Sequence, residues 1–215
     1  MSHYYFKKNY RGSAKAGKGF SLVEFLITIG IVFVIMTVVL TNQNTYTDSV
    51  ALTSLADEIG LTVSQAQAYG IGVKEVLPGS SDFSASFGLS ISLLGSGSNK
   101  DYIFFADRDS DGVYDGDWTC QTGGANECLD KATISRGNYI DSLCAVRSSG
   151  GDICNLGRIE ITFVRPSTEA KLLFFNNGGQ SYNPGNITGA RIVLKSPGGL
   201  TRAVLVYNTG QVSIQ

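Results

Sequence analysis

The sequence predicts an α+β fold, a long N-terminal helix followed by an antiparallel sheet. Three observations carry that expectation. Residues 20–40 form an apolar run of 21 in which Glu24 is the only charged residue. Leu52, Leu55, Ile59, Val63 and Ala66 then recur every three or four residues, the spacing of one apolar helix face. Beyond Gly72 the period changes to two. Phe87, Leu89, Ile91 and Leu93 alternate with Ser86, Gly88, Ser90 and Ser92, the pattern of a half-buried strand. The 26 glycines and a charged fraction of only 16% suit a turn-rich β body better than a helical bundle.

The first element is the apolar run. As a helix, 21 residues span about 31 Å, one hydrocarbon core, and Gly30 is tolerable there. Residues 1–19 hold Lys7, Lys8, Arg11, Lys15 and Lys18 with no acid. Cations on that side place 1–19 in the cytoplasm and the body after Leu40 outside the cytoplasmic membrane. A secretory signal peptide would have an apolar region of about 7–15 residues and a small-residue cleavage site. This run is longer, and no such site follows it. A plain signal anchor fits the length and flanks but leaves Glu24 unexplained. A charge in a membrane helix costs about 2.5–3.5 kcal/mol on insertion scales, so a functional partner is the default inference.

The stretch Lys18-Gly19-Phe20-Ser21-Leu22-Val23-Glu24 resembles the prepilin motif of type IV pilins and type II secretion pseudopilins. The resemblance implies cleavage by a membrane aspartyl peptidase between Gly19 and Phe20. It implies N-methylation of Phe20 by the same enzyme and retention of Glu24 as the fifth-position acid. Prepilin peptidase and other pilin or pseudopilin subunits are then the expected partners. Thr41 departs from the family, in which many members have a helix-kinking proline at that place. After such a cut, Phe20 carries a positive amine one helical turn from Glu24. Buried opposite charges attract strongly when paired and are costly when unpaired. A Glu24 that meets the amine of an incoming neighbour would therefore set axial register.

Residues 41–49 contain neither proline nor glycine, so one helix is expected from about 20 to 69, ending near Gly70 and Gly72. The expected organisation is a leader at 1–19, a transmembrane helix at 20–41, its amphipathic continuation at 42–71 and a β-rich extracytoplasmic domain at 72–215. Further strands are expected at 101–106, 158–164, 171–175, 190–195, 202–207 and 211–214. Asn208-Thr209-Gly210 between the last two is a three-residue hairpin signal, with glycine placed for positive φ. Residues 95–100 and 176–186 read as loops. The whole layout resembles the pilin fold. "LTSLADEIGLTVSQAQAYGI" and the closing "VLVYNTGQVSI" are most similar to H-type minor pseudopilins and related minor pilins.

Cys120, Cys128, Cys144 and Cys154 fall in a middle section without clear periodicity. Four cysteines allow three pairings. Local pairing, Cys120 with Cys128 and Cys144 with Cys154, is the preferred one. A zinc site would want tighter C-x2–4-C pairs, and structural disulfides suit an oxidising compartment.

"DRDSDGVYDGD", residues 107–117, places Asp107, Asp109 and Asp111 at alternating positions before Gly112. Oxygen ligands at loop positions 1, 3 and 5 with glycine at 6 begin an EF-hand-type calcium loop. In that frame Val113 supplies a carbonyl and Asp115 holds position 9. Position 12 should be Glu but is Trp118. The residues before the loop, "YIFFA", read as a strand instead of a helix. Calcium and a bare aspartate turn are both open at this point.

Catalysis is not expected. The sole histidine, His3, lies in the leader, and "SPGG" at 196–199 lacks the lysine and spacing of a phosphate loop. After residue 19 the chain keeps twelve basic and eighteen acidic residues, a net of −6. That balance argues against nucleic acid as the main partner. The leading expectation is a minor pilin or pseudopilin structural subunit, held as a single-pass protein in the inner membrane and assembled into a filament. The alternative is an extracytoplasmic binding or adhesion module carried on a pilin-type stem.

Overall fold

The computed structural model describes residues 19–72 (backbone only at 41, 42, 44 and 45), 74–76, 79, 83–95, 97–121 and 126–215. The basic leader expected at 1–19 therefore lies outside the described residues except for Gly19. The chain divides into two compact units, Met1–Gln43 and Asn44–Gln215.

In the first unit the residues belong to helix α1 (Leu22–Ile71), which starts two residues later than the apolar run. The Ser21 carbonyl accepts the Phe25 N–H at 3.1 Å and so opens the helix. Leu22–Leu40 has a mean hydropathy of 2.7 and is long and apolar enough to cross a membrane. Its side chains are exposed throughout. The hydroxyls of Thr28 and Thr37 donate to the carbonyls of Phe25 and Phe33, both at 2.8 Å. These two hydroxyls are thus satisfied within the helix, as lipid would require.

In the second unit α1 buries Leu52, Leu55, Ala56, Ile59, Val63 and Ala66 in the main core. The expected stripe is therefore the sheet-facing side of the helix. The sheet is antiparallel and curled, built from β1 (Ser86–Ser92), β2 (Asp101–Asp107), β3 (Cys128–Thr133), β4 (Tyr139–Arg147), β5 (Ile153–Phe163), β6 (Ala170–Asn176), β7 (Ser181–Tyr182), β8 (Ile187–Lys195), β9 (Thr201–Tyr207) and β10 (Val212–Ile214). Its order is β10-β9-β8-β4-β5-β1-β2-β3, with β6 on β5 and β7 on β6. β5 is long enough to serve two neighbours in turn. Residues 158–163 pair with β1 and 153–156 with β4.

Three sequence expectations need correction. The irregular middle contains β3 and β4, so Cys128, Cys144 and Cys154 lie on or at strands. Their periodicity is hidden by bulges, which shift the β4 register at 140/142, 143/145 and 146/147. The expected loop at 176–186 includes the short strand β7. β1 is buried on both faces instead of one. Phe87, Leu89 and Ile91 enter the main core, while Ser86 and Ser90 lie beneath a second layer and bond to Asp107 and Glu160.

The closing hairpin forms as expected. Tyr207 and Gln211 pair across the turn, with the Tyr207 N–H on the Gln211 carbonyl at 2.9 Å, and Gly210 has φ of 85°. At Gly70 the helix backbone comes close to β5. A Cβ there would lie 2.5 Å from the Phe163 carbonyl oxygen, whereas one at Gly60 would make ordinary contacts of 3.5 Å or more with Ile214 and Val212. The two glycines therefore differ in sign. Gly70→Ala should destabilise by about 1–3 kcal/mol through overpacking. Gly60→Ala should stabilise by roughly 0.5–1 kcal/mol through helix propensity. Thermal denaturation of both variants beside the parent checks this, and equal shifts would contradict the close approach at Gly70.

Candidate functional site

Two sets of residues were singled out by the sequence, one in each unit. In the first, Gly19 and Phe20 precede α1 in non-helical backbone, with Phe20 81% exposed. Among the described residues, the Gly19–Phe20 bond is thus exposed and outside the helix. Glu24 lies in the first turn of α1. There a carboxylate is favoured by the helix dipole by about 0.3–1 kcal/mol. Ser21 and Glu24 also have the S-x-x-E spacing of a capping box. The position of Glu24 thus has a local benefit that its rarity within the apolar run conceals.

In the second unit the acidic loop is built onto the end of β2. Its apolar residues make a small core of their own. Tyr114 and Trp118 pack with Ile103, Phe105 and Cys128, Tyr114 tilted on Phe105 at 5.5 Å and edge-on to Trp118 at 6.0 Å between ring centroids. The disulfide Cys120–Cys128 ties the end of the loop to β3, and Cys144–Cys154 joins β4 to the start of β5. Both pairings are the local ones preferred from the sequence. Trp118 is a core residue at the place where an EF-hand has its final glutamate.

The carboxylates fall into two overlapping groups instead of one EF-hand frame. Asp107, Asp109 and Glu127 bring ligand oxygens within 4.8 Å of one another, and so do Asp109, Asp111 and Asp115. Either group could hold a metal ion. Asp111 Oδ1 accepts the Val113 N–H at 2.6 Å, and Asp109 Oδ1 accepts the Asp111 N–H at 3.3 Å. These Asx turns hold the exposed loop in shape. Lys171 Nζ donates to the Asp111 carbonyl at 2.5 Å.

Glu127 was not foreseen. It reaches the loop because β3 continues the β2 ladder past a register shift at 104/105, so Phe105 pairs with Cys128 and the Ala106 N–H bonds the Glu127 carbonyl at 2.9 Å. Its carboxylate accepts the N–H groups of Arg108 at 2.9 Å and Asp115 at 3.0 Å, one on each oxygen. In the sequence the only hint is an acid directly before Cys128. Burial pushes the Asp107 carboxyl above its ordinary range, opposed by the Ser86 hydroxyl. Burial likewise raises Glu127, opposed by the two amides it accepts. Burial and the charges of Asp111 and Asp109 raise Asp115.

Beside the loop, Arg158 Nη2 donates to the Tyr114 carbonyl at 2.6 Å while its Nε contacts Glu160 Oε1. Glu160 is fully buried, accepts the Ser90 hydroxyl at 2.9 Å and has no hydrogen-bond partner at Oε2. Burial pushes its carboxyl up to about 8, although Arg158 and Ser90 pull the other way. Between the unfolded value of 4.5 and about 8, the folded state holds a proton that the unfolded state lacks. Stability from this group is therefore present at low pH, falls as pH rises through that window, and levels off above it. The thermal midpoint of Glu160→Gln, which does not titrate, should fall less than the parent's between those limits. Parallel curves for the two proteins would contradict the assignment.

No family model matches the chain, and no curated protein or solved structure matches it. The functional reading therefore rests on the residues described above.

Proposed function

We propose that the chain is a pilin-type structural subunit: a minor pilin or pseudopilin that is stored in the cytoplasmic membrane and assembled with sister subunits into a filament. The observation that carries this reading is the order of features at the N-terminal end. A glycine–phenylalanine bond in open backbone precedes a helix that is apolar on every side from Leu22 to Leu40, with one acid in its first turn. A plain anchor needs the apolar length but neither the Gly19–Phe20 junction nor the acid.

The same apolar surface serves in both states. Lipid tails and neighbouring apolar helices are similar solvents for it, so transfer from membrane to filament exposes little of it to water. Specificity must then come from polar groups. A free amine on Phe20 and the Glu24 carboxylate supply one of each sign within a turn of each other. Pairing between neighbouring subunits would satisfy both, whereas a misplaced neighbour would leave charges buried and unpaired, which is the more costly outcome. Cleavage by prepilin peptidase creates that amine, which makes processing a precondition for assembly. The second unit is then the extracytoplasmic part, and its two disulfides suit an oxidising compartment.

Intact-mass and N-terminal analysis of protein from its native host should give a chain that begins at Phe20, about one methyl group heavier than the unmodified sequence. A mature chain that keeps residues 1–19 would contradict the proposal. Glu24→Ala should still insert into the membrane but enter filaments at least about tenfold less, since a lone amine would be left buried. Glu24→Gln separates charge from capping. It keeps a hydrogen-bonding side chain at the capping-box position and should fail to assemble in the same way. Wild-type incorporation of the glutamine variant would remove the pairing argument.

A further inference from the structure

We infer that Asp107, Asp109 and Glu127 form a site for a calcium-type divalent cation, which fastens the 107–117 loop to the start of β3. The proximity of acids is not the main reason. Asp107 is wholly buried at the end of β2, and its two carboxylate oxygens differ. Oδ2 accepts the Ser86 hydroxyl at 2.6 Å, while Oδ1 is buried with no hydrogen-bond partner. The Ser110 amide and the Asp109 carboxylate both act on this carboxyl group, yet neither gives Oδ1 a hydrogen bond of ordinary geometry, which is costly for a carboxylate removed from water. Asp107 belongs to the group whose ligand oxygens lie within 4.8 Å of one another. A cation in that group would give Oδ1 the partner it lacks.

The other two ligands are held in place. Glu127 is also buried, and the Arg108 and Asp115 N–H groups fix one oxygen each. A carboxylate oxygen that accepts one amide keeps a second lone pair for a metal. Asp109 is exposed and accepts the Asp111 N–H, which steers its side chain from within the loop. Three cations near the loop are engaged with other groups: Lys171 with the Asp111 carbonyl, Arg158 with Glu160 and the Tyr114 carbonyl, Lys131 with Asp101 and the Trp118 carbonyl.

The chemistry of the donors selects the ion. All three are carboxylates, and Cys120 and Cys128 beside them are spent in a disulfide, so a hard cation is favoured over zinc or copper. Calcium binds oxygen at about 2.3–2.6 Å, so opposite ligands lie roughly 4.6–5.2 Å apart, which accommodates the observed spread. Magnesium demands near-ideal octahedral geometry and dehydrates reluctantly, so it suits a set of protein carboxylates less well. Three carboxylates leave about three to five positions for water and carbonyl oxygens. The ligands come from two chain segments 18 residues apart in number, so binding would close the loop onto the sheet. The EF-hand frame read from the sequence included Asp111, Val113 and Asp115 as ligands. In this arrangement Asp111 and Val113 shape the turn, and Asp115 positions Glu127 through its amide.

The test is calorimetric titration of calcium chloride into the full chain, purified in detergent micelles and first treated with a chelator. One ion should bind and the thermal midpoint of the β domain should rise. Magnesium chloride should bind at least about tenfold more weakly. Asp109→Asn and Glu127→Gln should each weaken calcium by about tenfold or more, whereas Asp115→Asn should stay within roughly threefold of the parent. Asp109 is exposed, so its variant keeps the test decisive if the buried Glu127→Gln does not fold. Absence of saturable binding in the parent up to about 10 mM, well above the weakest extracellular calcium modules, would overturn the site. So would binding that survives Asp109→Asn unchanged, or that is lost in Asp115→Asn while Glu127→Gln retains it.

Discussion

An apolar helix surface in contact with water is the constraint on which this protein turns. Among the described residues, no side chain between Leu22 and Leu40 finds cover. A stretch of that length has to be covered from outside, by lipid or by other helices. Between Leu52 and Ala66 the same element meets the opposite condition. There only one face is apolar, and the sheet covers it. The change from an all-round apolar pattern to a stripe every three or four residues records two different surroundings for one helix.

The β domain handles its polar groups in an unusual place, the back of a central strand. β1 is buried on both sides, and its serines bind carboxylates that come from β2 and β5. These acids are tolerable there only because each has been given donors, yet Asp107 and Glu160 each keep one oxygen unsatisfied. For Glu160 the outcome is a raised proton affinity. For Asp107, next to Asp109 and Glu127, the outcome we infer is a bound cation. The loop that covers this region is fastened by its aromatic core and by Cys120–Cys128. That disulfide also fixes the backbone next to Glu127.

Much of this was legible in the sequence where one rule governed a segment. The stripe on α1, the alternation at 86–92, the Asn208–Gly210 turn and the local cysteine pairing each follow from a single period or a short separation. β3 and β4 were missed because bulges interrupt their alternation and both lie in a stretch dominated by loops and cysteines. The burial of Ser86 and Ser90 was missed because serine opposite an apolar face usually means water. Glu127 was missed because only strand pairing, a relation between segments distant in sequence, brings it to the aspartates. The first-turn position of Glu24 is masked in the sequence by its rarity within the apolar run.

The central claim is that the uncovered end of α1 is matched to a neighbouring subunit through Glu24. A photo-reactive phenylalanine analogue at Phe25, next to the acid, would report what lies there in the assembled state. The account predicts a covalent adduct to another pilin-type subunit, mapped to that subunit's first helical turn. Adducts to lipid alone, in preparations in which filaments are present, would contradict it.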